Sequence, residues 1–189
     1  MNYIPILLLP ILFIMVIIRS IILRRQGIKT IVFGKADKTD YFIIPIVLFF
    51  VYGIVSSLFN LPFPKFLTTA FWELDILYVF SIIICCISLI WFAVTLKVFG
   101  KSFRVGIDMN TAEKLIVNGP FSISRNPIYL GFITFFIGFF ISYPNILSSV
   151  FLVIFLLLVH RQILREEKFL KKQYGIEYEE YSKKVRRYI

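Results

Sequence analysis

Two polar clusters flank the last apolar stretches of this 189-residue chain, and they hold its most chemically capable side chains. The first is Ser124-Arg125-Asn126-Pro127-Ile128-Tyr129, and the second, some forty residues later, is Arg165-Glu166-Glu167. Ionisable groups at the edge of a long apolar run are costly and are kept for a partner or a task. If the two clusters converge on one membrane face, they offer two carboxylates, an amide, a phenol and guanidinium groups. That set suits a cationic small molecule and an anionic or lipid-borne one better than it suits a channel.

Each residue has a plain reading beside the chemical one. Asn126-Pro127 starts a helix: Asn caps it and Pro fills the first position, where no N–H is needed. The amides at such a helix start also suit a carboxylate. Arg125 fits a headgroup anchor at the membrane edge. Arg161 and Arg165 lie four apart and share a helix face, as do Gln162 and Glu166. They read either as a solvated helix laced with ion pairs or as a site. In a site, a Glu would face a cation or ribose hydroxyls while an Arg grips a carboxylate through paired hydrogen bonds. Tyr129 is either an aromatic-belt residue or a ring and hydroxyl for a cofactor cation such as sulfonium.

Other site chemistries lack their residues. There is no Gly-rich phosphate loop, no GxSxG elbow, no HExxH and no dinucleotide fingerprint. His160 is the one histidine, so a histidine-rich metal centre is excluded and no metal site is expected. Cys85 and Cys86 are adjacent within an apolar run and read as small packing residues, not a staple.

The elements that must position these clusters are apolar helices. The chain is 59% hydrophobic and 18% aromatic, well beyond a soluble domain. A membrane protein of one structural domain is therefore expected, all-α and polytopic. Spans are predicted near residues 4–23, 41–59 and 74–99. The apolar stretch 128–159 is too long for one span, and Ser142-Tyr143-Pro144-Asn145 interrupts it with turn chemistry. It reads as a helical hairpin, spans four and five. Residues 1–99 then supply three helices, and 100–189 carry a loop, the hairpin and a C-terminal amphipathic helix, with a break at Gly175.

The formal charge of +10 is spread between the apolar runs. Lys plus Arg number 6, 1, 5, 0 and 9 in successive loops, the alternation expected of five spans with the N-terminus outside and the C-terminus cytoplasmic. The first segment lacks a cleavage site and is followed by Arg19, Arg24 and Arg25, so it reads as a retained anchor. The basic charge answers anionic lipid headgroups, and a nucleic-acid partner is not expected.

The ordered set Gly119-Pro120-Phe121, Ser124 through Gly131, Glu166-Glu167, and Tyr174-Gly175-x-x-Tyr178-x-x-Tyr181 with Val185 and Arg187 resembles the isoprenylcysteine carboxyl methyltransferase family. That family is related to the membrane phospholipid methyltransferases. The resemblance covers residues 101–189 and is only topological before them. It implies an integral membrane enzyme using S-adenosyl-L-methionine, bound on the cytoplasmic side by the second half of the chain. By resemblance, Glu113, Lys114, Leu115 and Ile116 contact the adenosine part, with Phe121 nearby. Asn126, Pro127, Ile128 and Tyr129 match the segment cradling the cofactor, and Glu166 matches a cofactor-binding acid. Arg161 and Arg165 are the candidates for gripping a substrate carboxylate, and Glu167 completes the catalytic set. Two departures stand out: Asn126 replaces the usual His, and Gln162 occupies the strict position of the family arginine. The expected reaction is carboxyl O-methylation of an isoprenylcysteine-like or other lipid-linked acceptor. N-methylation of an aminophospholipid and a non-catalytic membrane protein are the alternatives.

Overall fold

A computed structural model describes residues 4–27, 43–100 and 115–189. These residues form α1 (Ile4–Arg25), α2 (Ile43–Phe59), the one-turn α3 (Lys65–Thr68), α4 (Asp75–Phe99), a 3-10 turn (Gly119–Ser122), α5 (Pro127–Ser142), α6 (Ile146–Tyr174) and α7 (Ile176–Lys184). The expected all-α architecture is found, with no strand among the described residues. Helices α1, α4 and α6 are 22, 25 and 29 residues long, and each contains an 18-residue stretch with mean hydropathy of 2.9, 2.7 and 2.1 respectively. By length and composition each can cross a bilayer core. Helices α2 and α5, of 17 and 16 residues, are equally apolar but shorter. Outward-facing Leu7, Leu48, Ile76, Ile90 and Leu157 are all exposed, a surface that water would penalise and lipid accepts.

Local chemistry sets the helix ends. Asn145 and Ser148 form a reciprocal capping box: the Asn145 Oδ1 accepts from the Ser148 amide at 2.9 Å, which starts α6 straight after the interruption. Gly175, at φ +55°, ends α6 and begins α7, so the expected break falls where only glycine sits comfortably. Helices α5 and α6 run antiparallel: Phe136 packs on Phe151 and Phe155 with ring centroids 5.1 and 4.6 Å apart. Nearer the charged end, Tyr129 meets Glu166. From α2, Phe50 stacks on Phe151 at 3.8 Å.

The seam between α4 and α5 fixes where the site begins. Helix α4 buries Ser81, Cys85, Ser88, Phe92 and Thr95, a repeat of alternating four and three residues, against Gly131, Phe135 and Gly138 of α5. Lipid offers no hydrophobic drive for helix pairing, so close approach over small residues does the work. The Ser88 and Thr95 hydroxyls donate to carbonyls of their own helix, at 2.7 and 2.8 Å, and impose no buried cost. Ser81 and Ser142 share a hydrogen bond across the seam, and the Trp91 indole donates to the Pro127 carbonyl at 2.8 Å. Cys85 packs in this seam and Cys86 faces outward, as small packing residues would. At the same end as Trp91, the Arg19 guanidinium of α1 donates to the Gly100 carbonyl.

A methyl group at Gly138 would stand 2.9 Å from both Cys85 Sγ and Ile84 Cγ2. Gly138→Ala is therefore expected to cost about 1–3 kcal/mol by prying α4 from α5. Thermal unfolding in detergent checks this, with Ile83→Ala on the exposed face as a control that changes the midpoint little.

Candidate active site

At the charged end of the bundle, α5 starts on Pro127, whose missing N–H costs nothing in the first helical turn. Asn126 occupies the capping position, yet its side chain does not cap the helix, contrary to the sequence expectation. Its amide is oriented instead by two acceptors: Asn126 Nδ2 donates to Glu167 Oε1 at 3.1 Å and to the Arg187 carbonyl at 3.2 Å. Ser124 steadies the turn instead. Its hydroxyl accepts from the Asn126 amide at 3.1 Å and donates to the Arg187 carbonyl at 3.2 Å. With the Arg125 amide donating to the Arg186 carbonyl at 3.0 Å, residues 185–189 lie as a strap across the entry to α5.

Glu167 is the hub of this region. Its Oε1 meets Arg125 at 3.2 Å, and its Oε2 accepts from Arg187 Nη2 and Nε at 2.8 and 3.1 Å. The Glu167 and Arg125 side chains are only 11% and 13% exposed, so this is a desolvated cluster rather than a surface ion pair. The hydrogen bond to Glu167 raises the Arg187 pKa above its ordinary value. Helix α7 closes over the cluster. Tyr181 donates to the Phe121 carbonyl at 2.6 Å, and Tyr178 is 4% exposed with no partner for its hydroxyl among the described residues. Burial first, and then the Glu167 charge, push Tyr178 up to about 12, with Arg125 and Arg187 opposing. Burial likewise raises Tyr181.

The second carboxylate faces a different setting one residue earlier. Glu166 Oε1 accepts from the Tyr129 hydroxyl at 2.6 Å and from Gln162 Nε2 at 2.9 Å, bringing together side chains 37 residues apart in sequence. Arg165 donates to Gln162 Oε1 at 3.4 Å. Arg161, one turn earlier, is exposed, and His160 shares a 2.7 Å hydrogen bond with the strap's Tyr188. The two glutamates thus divide the site: one is locked between guanidinium groups, and the other meets a phenol and an amide at its edge.

Most of the expected residues converge here. Asn126, Pro127, Tyr129, Arg165, Glu166 and Glu167 form one cluster. Phe121 is buried beneath α7 and lies 5.1 Å from Phe99 between ring centroids. Leu115 and Ile116 are half-buried, and Ile128 packs against the core. Glu113 and Lys114 lie outside the described residues. Sequence reasoning put Gln162 on one face with Glu166, as found, but gave no role to Ser124, nor to Arg187 as a partner of Glu167. One arginine among twenty-one basic residues carries no mark of its partner. A separate concavity at the opposite end, lined by Gly53, Ser57, Thr68, Asn145 and Ser148 among others, holds no charged side chain.

The phospholipid methyltransferase family matches residues 76–177, more than half the chain, including α4 from its second residue and all of α5 and α6, and the chain belongs to that family. Among curated proteins it is similar to the probable protein-S-isoprenylcysteine O-methyltransferases of Oryza sativa subsp. indica and subsp. japonica. Each is 36% identical over 89 residues, 46% of this chain and 47% of the relative. The match thus spans about half the length of these relatives. No solved structure matches.

The buried tyrosine gives a signed prediction. A phenol whose folded pKa is raised stabilises the fold fully below its unfolded value near 10, and that stability is lost as pH rises toward about 12. Unfolding midpoints in detergent should therefore fall between pH 10 and 12. Tyr178→Phe should flatten that fall and leave stability at pH 7.5 unchanged or slightly higher, because it deletes an unpartnered buried hydroxyl.

Proposed function

We propose that this chain is an S-adenosyl-L-methionine-dependent membrane methyltransferase acting on a lipid-linked acceptor, with carboxyl O-methylation as the reaction. The observation that carries the proposal is the meeting of Tyr129 and Asn126 at the start of α5 with Glu166 and Glu167 on α6, inside the stretch that defines the family. These residues fit the donor's parts. Glu166 offers a carboxylate at the cluster's edge for hydroxyls or a cation, and Tyr129 an aromatic ring for a cation. Half-buried Leu115 and Ile116 and the buried Phe121 offer apolar surface for a base. When bound, the donor supplies an activated methyl group, and the protein's task is to orient and enclose.

The orientation we propose runs five spans, with the first residues outside and the charged end, including α7, in the cytoplasm. The basic loops at the ends of α1 and α4 and after α6 accord with it. Arg161 and Arg165 lie where a lipid-borne carboxylate arriving from the bilayer would be gripped, and guanidinium geometry suits that task. An acceptor carboxylate is already ionised at neutral pH and needs no base. Aligning it with the methyl group and excluding water are the remaining requirements.

A second reading rests on the family itself, whose name is phospholipid methylation: N-methylation of an aminophospholipid in the same site. An amine acceptor must lose a proton before or during attack, which asks for a base as well as alignment.

Calorimetry of the full chain in detergent with S-adenosylhomocysteine tests the cofactor. A one-to-one site is expected, with affinity reduced about fivefold by Tyr129→Phe, the equivalent of one hydrogen bond, and more by Glu166→Ala. Absence of heat in the wild-type chain would end both enzyme readings. Labelled methyl transfer into membrane lipids then separates the chemistries. A carboxyl ester releases its label as methanol in alkali, whereas an N-methyl group retains it.

A further inference from the structure

The two ends of a carboxamide have nearly the same shape and opposite hydrogen-bonding character, so what surrounds the side chain decides which end is offered to a ligand. At Asn126 the surroundings are unambiguous. Glu167 Oε1 and the Arg187 carbonyl, at 3.1 and 3.2 Å, can only accept, so both hydrogens on Nδ2 are spent. Among the described residues no donor is bonded to Oδ1. We propose that Glu167 and Arg187 are positioning residues that hold Asn126 with its oxygen outermost, as an acceptor for an N–H or cationic part of the methyl donor. The inference rests on the methyl-donor reading above and adds Arg187 to it. Arg187 falls outside the segment 76–177 that matches the family.

The charges explain why this takes two residues. Glu167 is held from both sides by Arg125 and Arg187, so it cannot swing toward a ligand or serve as a free base. Its charge is compensated, and what remains to act is the direction of a neutral dipole. Arg187 contributes twice: its guanidinium fixes the Glu167 carboxylate, and its backbone carbonyl takes the second amide hydrogen. The catalytic role expected for Glu167 thus becomes one of orientation. It also makes sense of asparagine in place of histidine, since an acceptor fixed by geometry needs no titration.

A double-mutant cycle tests the assignment on the full chain in detergent, using calorimetry with S-adenosylmethionine and with S-adenosylhomocysteine. Arg187→Gln is expected to weaken S-adenosylmethionine binding about tenfold in the wild-type background. In Asn126→Ala it should weaken it less than about twofold, because a positioning residue acts only through the group it positions. Arg187→Lys, which keeps the charge but not the paired grip, should fall between. A loss shared by both ligands assigns the contact to an N–H group, and a loss confined to S-adenosylmethionine assigns it to the sulfonium. Equal losses in both backgrounds would overturn the proposal, since they mark a merely structural arginine. If Arg187→Gln does not stay monodisperse, the same cycle is run with Glu167→Gln and read the same way. Wild-type chain that binds neither ligand would instead remove the methyl-donor reading itself, a result distinct from binding with additive losses.

Discussion

A carboxylate taken out of water must be paired or neutralised, and at Glu167 that requirement ties together parts of the chain that sequence keeps far apart. Its partners are Arg125, just before α5, and Arg187, after α7, while Glu167 itself sits on the last turns of α6. A buried ion cluster of this kind adds little net stability, because desolvation offsets most of the Coulomb attraction. Its effect is on geometry. Satisfying all three charges at once holds the start of α5, the last turns of α6 and the strap 185–189 in one register. Glu166 is placed by the same constraint. One residue along the helix from a locked neighbour, it meets Tyr129 at 2.6 Å rather than roaming in solvent.

The register at the charged end would be useless if α5 itself could slide, and the α4–α5 seam prevents that. Gly138 lets α5 approach Cys85 and Ile84 so closely that an added methyl would collide, and Gly131 sits nearly as tightly against Phe92. The Trp91 indole bonded to the Pro127 carbonyl then sets the height of the α5 entry against α4. Site geometry therefore depends on small residues many ångströms deeper in the apolar region. In lipid, where apolar side chains gain nothing from leaving their surroundings, this shape match is what makes one helix pairing better than others.

The apolar helices were legible in the sequence because their signals are strong and local. Residues 4–23, 41–59 and 74–99 are uninterrupted apolar runs, and Ser142-Tyr143-Pro144-Asn145 is turn chemistry inside a stretch too long for one span. The helices found begin or end within a few residues of each expected boundary, and Gly175 divides α6 from α7 as anticipated. The candidate site was legible as two clusters, since charged residues beside apolar runs announce themselves. What could not be read was the pairing. That Asn126 forgoes its cap for Glu167 depends on a carboxylate 41 residues away. Nor does anything local distinguish Arg187 from Arg186, though one is half-buried on Glu167 and the other is exposed. Such facts live in the tertiary fold, where competing partners are brought within reach.

The division between the two glutamates bears on which acceptor this site suits. A general base must offer an available lone pair and a pKa near the working pH. Glu167 offers neither freedom nor availability, with both oxygens engaged by guanidinium groups and the Asn126 amide. Glu166 Oε1 accepts from Tyr129 and Gln162. His160, the one histidine, is bonded to the strap's Tyr188 through Nδ1. An ammonium acceptor would need one of these groups as its base. Aligning an acceptor that is already anionic requires only an arginine and a fixed donor pose, and Arg161 and Arg165 lie within two turns of Glu166 on the same helix. Groups that hold and orient are what the proposed carboxylate acceptor asks for.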